Sequence, residues 1–206
     1  MLKLDLKKQF KHLYQPSAKQ FSIVDVPPMN FLMIDGAGDP NTATDFQAAL
    51  EALYAMSYTL KFGVKQGKYG DTPYDYPVMA LEGLWWVDDL TRFSVAAKGD
   101  WYWTVMIMQP DIITPDMVEL ARADVAKKKH PAALPKVRLE PYREGLSAQI
   151  LYFGPFKDEG PTIARLHEFI ESGGHQLRGK HHEIYLSDPR RTAPEKLKTV
   201  IRQPLK

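Results

Sequence analysis

Residues 146–204 decide the fold. They open with Leu146-Ser147-Ala148-Gln149-Ile150-Leu151-Tyr152-Phe153, a strand-forming run broken by Gly154-Pro155. From Pro161 to Ser172, Ile163, Leu166 and Ile170 recur at helical spacing, and Gly173-Gly174 stops the helix. His181-His182-Glu183-Ile184-Tyr185-Leu186 alternates as a strand does. Leu197 to Arg202 is a further strand, closed by Gln203-Pro204.

The same order stands upstream. Asn30-Phe31-Leu32-Met33-Ile34-Asp35-Gly36 is a strand between Pro27-Pro28 and the turn residues Gly36 to Pro40. A helix follows, with Thr44 or Asp45 as the expected cap, Phe46, Leu50, Leu53, Ser57 and Leu60 on one stripe, and Gly63 as the expected stop. Residues 66–76 are rich in Gly, Asp, Tyr and Pro and read as a loop. Val78 to Trp86 and Trp101 to Met108 are strands, the second closed by Gln109-Pro110. A second helix, Asp116 to about Lys128, leads into a Pro-rich connection.

The two copies start about 118 residues apart, from Ile34 to Tyr152. The pattern predicts an α+β fold: tandem duplicated strand–helix–strand–strand modules related by a pseudo-twofold, in a single domain over residues 1–206. The first module spans about 20–110 and the second about 140–206. Residues 1–19 form an N-terminal arm expected to fold along the surface. One helix per copy covers only one sheet face, so a broad surface is expected on the other face. A ligand cleft is expected at the junction of the modules.

Composition narrows the classes of function. Against 27 Lys and Arg stand 25 Asp and Glu, a net charge of +2, which lacks the basic excess that phosphate neutralisation favours. Lys127-Lys128-Lys129 reads as a solvated helix end, and no nucleic-acid partner is expected. Without cysteine there is no disulfide, thiolate catalysis or Cys-ligated zinc. No apolar run approaches a membrane span of about 20 residues, and the first residues lack a signal peptide's apolar stretch. A cytoplasmic location follows by default. His181 and His182 are adjacent on a strand and diverge, so no metal and no cofactor are expected.

All four tryptophans, Trp85, Trp86, Trp101 and Trp103, lie on two strands expected to pair. Alternation places Trp86 with Leu84 and Glu82, Trp85 with Gly83 and Leu81, and Trp101 and Trp103 with Val105. These rings are either core residues or the lining of a slot for a flat ligand. In the second copy, Ile184 and Leu186 suit packing beneath the helices, and Glu183, Tyr185 and Ser187 share the opposite face. That face is either solvated or lines the cleft. In a cleft, a carboxylate among indoles is partly desolvated, which suits it to bind a cation or to act as a general base.

The phrases Leu81-Glu82-Gly83-Leu84-Trp85-Trp86, Trp101-Tyr102-Trp103-Thr104 and Glu144-Gly145-Leu146…Gly154-Pro155-Phe156 resemble one branch of the GyrI-like small-molecule-binding family. So do His182-Glu183-Ile184-Tyr185-Leu186-Ser187-Asp188-Pro189 and Leu197 to Pro204. The resemblance runs from about Gln20 to the end. It implies a duplicated, SOUL-like module with a central ligand cleft. In related multidrug-responsive regulators a buried Glu recognises cationic aromatics, and Glu183 matches it. No helix-turn-helix segment precedes the domain, so the chain resembles stand-alone members, which are associated with hydrolysis of cyclopropanoid, DNA-alkylating natural products. A third role, as a topoisomerase-inhibitor-like interaction protein, is weighed against by the near-neutral charge. The expected partner is thus a planar aromatic molecule, in some cases cationic, bound for protection against xenobiotics. Glu183 and Tyr185 are the expected catalytic residues if water is added. Trp86 and Trp103 are the expected sandwich, with Glu82, Tyr102 and Tyr152 as further ligand-binding candidates.

Overall fold

The structure, a computed structural model, describes residues 1–87 and 100–206. Residues 88–99, within the expected first module, lie outside the described part.

Two long bent strands organise the sheet. Ser22–Val26 (β2) and Met29–Ala37 (β3) are one extended run interrupted by Pro27-Pro28. Arg138–Tyr142 (β7) and Gly145–Phe153 (β8) are a second run, interrupted by Arg143-Glu144. They pair antiparallel in one register throughout: Val26 faces Gly145 and Met29 faces Tyr142 across the break. Proline has no amide to donate to the ladder, so the pairing gives way there. At the same level Gly145 turns with φ +73°, a conformation that disfavours a side chain. The sequence reading missed β2 and β7. Both are short, and β7 carries Pro141.

The remaining strands are Leu81–Trp86 (β5), Tyr102–Gln109 (β6), His181–Tyr185 (β9) and Lys198–Pro204 (β10). The eight-stranded sheet runs β2-β8-β10-β9-β5-β6-β3-β7. Its ends are linked by two-residue connections, and Val26 and Met29 lie at most about 11 Å apart, so the sheet must curve until its edges meet. The order is symmetric about the β5–β9 seam, β3-β6-β5 on one side and β8-β10-β9 on the other, as the duplicated pattern predicts.

The first long helix, Thr44–Lys65 (α3), packs on β3 and β6, and Gly160–Ser172 (α5) packs on β8 and β10. Pro115–Lys128 (α4), capped by Thr114, packs on α3. Two expectations for α3 fail. Its N-cap is Ala43, with no side-chain cap, and it runs through Gly63, against which the Tyr69 ring lies. A Cβ at Gly63 would sit 2.0 Å from that ring, so the glycine serves close packing and not termination.

The N-terminal arm also departs from expectation. Leu2–Lys3 (β1) pairs in parallel with Tyr74–Asp75 (β4). Two single-turn helices follow, Leu6–Gln9 (α1) and Lys11–Tyr14 (α2). Leu6, Leu13 and Tyr14 are buried in the main core, so the arm is a layer of the fold and not a surface strap. It covers the sheet face opposite α3 and α5, where Tyr14 reaches Glu82 of β5.

Candidate ligand-binding groove

Helices α3 and α5 sit over the flanks of the sheet, and among the described residues no helix covers the central pair β5 and β9 between them. The gap is a groove of about 1510 Å³. Its floor includes Leu81, Trp85, Glu183 and Tyr185; α3 contributes Phe46, Leu50, Tyr54 and Tyr58, and the other wall has Phe156, Glu159 and Ile163. A groove thus lies at the junction, but on the helix side of the sheet. The expected arrangement, with the cleft on the face away from the helices and Ile184 beneath them, is reversed. Ile184 faces the arm side, in register with Glu82.

Strand register builds the polar centre of the floor. Gly83 faces Glu183, Leu81 faces Tyr185 and Trp85 faces His181. Because Gly83 has no side chain, the Trp85 indole lies back across it; a Cβ there would stand 2.7 Å from Nε1. In this position Trp85 Nε1 donates to the Tyr185 hydroxyl at 3.1 Å, and that hydroxyl donates to Glu183 Oε2 at 2.7 Å. His181 Nε2 stands 3.3 Å from the other oxygen, Oε1. Burial, the charge of Glu183 and its hydrogen bond, together with the charge of Glu159, push the Tyr185 hydroxyl well above its usual pKa. It therefore remains a donor to Glu183. Trp101 packs on Trp85 at 5.5 Å between centroids, and Phe156 meets the Tyr185 ring edge-on at 5.3 Å. Tyr54 and Tyr58 stack one helical turn apart on α3. The result is a carboxylate fixed by a tyrosine within aromatic walls.

Behind this floor, on the arm side, lies a second polar cluster. Tyr14 donates to Glu82 Oε1 at 2.6 Å, and Glu82 Oε2 lies 3.0 Å from His182 Nε2. His182 Nδ1 lies 3.0 Å from Glu144, which accepts from Arg202 at 3.1 Å. Arg202 also donates to Gln149 and to the Leu13 carbonyl. Glu82, Glu144, Gln149, His182 and Arg202 are all buried. Both imidazole nitrogens face carboxyl groups, an arrangement that favours the imidazolium. Burial by itself would lower its pKa; Glu144 and Glu82 outweigh that and raise it to about 9. Burial would likewise raise Glu144, but His182 and Arg202 hold it at about 2.

Of the residues expected in the site, the structure brings Glu183 and Tyr185 together in the groove. Tyr152 is on the same sheet face, one strand beyond Thr199, with its hydroxyl donating to the Pro155 carbonyl. The expected sandwich of Trp86 and Trp103 does not form. Trp85, and not Trp86, pairs with Trp103, so Trp86 and Trp103 point to opposite faces. Trp103 is 1% exposed, lying across Gly36 against Phe46. Trp86 stacks on Tyr102 on the arm-side face, and Lys180 Nζ sits 3.4 Å from its ring centroid. The chain's own cation thus occupies that ring. Glu82 is committed to Tyr14 and His182 behind the floor. His181 and His182 diverge as expected, and among the described residues no group of three or more His, Cys, Asp or Glu could hold a metal ion.

Sequence reasoning weighed Trp85 with the other indoles without singling it out, and missed Glu159, the α3 tyrosines and the place of His181 beside Glu183. Two signals for them are in the chain. Gly83 stands two positions before Trp85, on the same strand face, and Tyr54 and Tyr58 are four residues apart on a helix.

A family model described as the GyrI-like small molecule binding domain matches residues 19–206. Among curated proteins nothing matches the chain in sequence. An uncharacterised conserved protein from Listeria innocua is 38% identical and has a TM-score of 0.89, the match covering 98% of this chain and 100% of that one. A structure described as a hydrolase from Listeria innocua is also 38% identical, with a TM-score of 0.83 over 98% of this chain and 100% of that one. The C-terminal domain of EcmrR shares the fold at 10% identity and a TM-score of 0.56, over 91% of this chain and 97% of that one. Among the described residues no helix is long and apolar enough to cross a membrane.

Proposed function

The chain belongs to the GyrI-like small-molecule-binding family, and on that premise we propose that its groove binds planar aromatic molecules, cations above all, and so protects against such xenobiotics. The observation that carries this reading is the Glu183 carboxylate, fixed by Tyr185 at the floor of a groove walled by Trp85, Tyr54, Tyr58 and Phe156. Aromatic faces attract flat rings, and a desolvated carboxylate favours the ligand that brings a positive charge. Tyr185 holds one carboxylate oxygen and so fixes the direction in which the charge faces the groove.

A second reading is favoured by the 38% identical hydrolase. Here Glu183 is a general base acting on a flat drug whose fused cyclopropane is conjugated to a carbonyl. Glu183 takes a proton from water, and the hydroxide oxygen bonds to a ring carbon. The cyclopropane C–C bond breaks, its electron pair moves to the carbonyl oxygen, and that oxygen is then protonated. One water is added and no redox partner is needed. The electrophile is destroyed before it alkylates DNA.

Turnover decides between the readings. A flat dienone bearing a fused cyclopropane is mixed with the protein in tenfold excess. Hydrolysis consumes all of it, whereas sequestration stops near one equivalent. If the protein is a hydrolase, Glu183→Gln binds the drug but loses about 10²–10⁴-fold in turnover. If it is only a binder, Glu183→Gln weakens cationic ligands and spares neutral ones. An unaltered variant in both assays excludes Glu183 from either role.

A further inference from the structure

The groove and the buried ion network share one pair of strands. Glu82 precedes Gly83 on β5 and His182 precedes Glu183 on β9, so each strand turns a network residue to one face and a groove position to the other. Gly83 and Glu183 are direct cross-strand partners, while Glu82 and His182 meet on the diagonal, opposite Ile184 and Leu84 respectively. The 3.0 Å contact between Glu82 Oε2 and His182 Nε2 therefore ties the β5–β9 seam together behind the Gly83–Glu183 pair. That seam is where the two modules join.

Apolar patterning specifies this seam weakly. His181-His182-Glu183 puts polar side chains on both faces of β9, and a one-residue slip would send Glu183 to the arm side. What separates His182 from its neighbours is its seat between Glu82 and Glu144. The arm completes that seat. Tyr14 donates to Glu82, the Leu13 carbonyl accepts from Arg202, and the His12 carbonyl accepts from Gln149. These arm residues precede the 19–206 span of the family model.

We propose that the N-terminal arm is a positioning part of the groove: the Tyr14 hydroxyl, acting through Glu82 and His182, sets where Trp85, Tyr185 and Glu183 stand on the far face of β5 and β9. Tyr14 touches no ligand; it orders the strands that present the residues which do. The inference rests on the groove being the binding site, and its test separates the two. Tyr14→Phe removes only the hydroxyl and keeps the buried ring, so the variant is expected to fold. Leu6→Ala cuts a buried arm side chain with no hydrogen bond to the network and serves as the control for lost stability. Each protein is studied well below its melting temperature, with two readouts: the indole N–H resonance of Trp85, assigned by Trp85→Phe, and affinity for the planar cationic dye ethidium. The expected result is that Tyr14→Phe shifts the Trp85 resonance and weakens ethidium by about fivefold or more, the scale of one ordinary net hydrogen bond. Leu6→Ala leaves both unchanged. An unmoved Trp85 resonance in Tyr14→Phe, or an equal shift in Leu6→Ala, overturns the proposal. If wild-type protein does not bind ethidium, the binding reading loses its support, and the Trp85 resonance alone still decides the role of the arm.

Discussion

Raising the pH through 9 should destabilise the protein through one residue, His182. The folded state holds its imidazolium between Glu144 and Glu82 with a pKa of about 9, against an ordinary value of 6.5. Between these values the native protein keeps a proton that the unfolded chain has released. The contribution is therefore fully present below pH 6.5 and is lost as pH rises through about 9. The slope is about 1.4 kcal/mol per pH unit, and the gap of about 2.5 units amounts to about 3 kcal/mol. That sum is the net of the carboxylates' attraction over the cost of burial, and the depression of Glu144 to about 2, felt only in acid, adds nothing on the alkaline side. The assay is urea unfolding at pH 6.5, 7.5, 8.5 and 9.5. Wild type should lose about 3 kcal/mol across the series. A Glu82→Gln/His182→Gln double variant, which removes one charge of each sign, should show a nearly flat profile. Wild-type stability constant to within about 0.5 kcal/mol, or an equal slope in the double variant, would refute the reasoning. The window stops below pH 10 because Tyr14 and Tyr185, buried beside carboxylates, hold their protons more tightly when folded and add their own alkaline loss.

Two further outcomes follow from the sheet geometry. Gly83→Ala should push Trp85 off its seat, since the new Cβ would stand 2.7 Å from Nε1; calorimetry should show about 1–3 kcal/mol of lost stability together with weakened groove binding. Trp86→Ala should leave groove ligands bound with wild-type affinity, because that ring lies on the other face under Lys180. Its cost should appear in thermal melts as about 1–2 kcal/mol from the lost ring contact with the ammonium group and the lost burial.

The repeated order of elements was legible because each unit announces itself locally. Ile163, Leu166 and Ile170 mark a helix, strand residues mark β8 and β10, and Gln-Pro closes both final strands. The pairing of Glu183 with Tyr185 was legible for the same reason: alternation on one strand is a local property. By contrast, β2 and β7 are visible only as partners of distant strands, each being half of a bent run that exists because the other run pairs with it.

What the sequence by itself determined is the duplicated module, the family resemblance and the faces shared by residues within each strand. Which face became the groove was decided by tertiary structure. Two helices docked on the flanks leave a gap over the centre on their own side, and an apolar arm with Tyr14 at its end fills the other side. Local alternation says that Trp85 and Trp86 part company, and only the docking of α3, α5 and the arm says which one meets the groove. The same holds for Glu82 and Glu183. Both are carboxylates on central strands, but Tyr14 and His182 enclose the first, while the second lines the groove between α3 and α5.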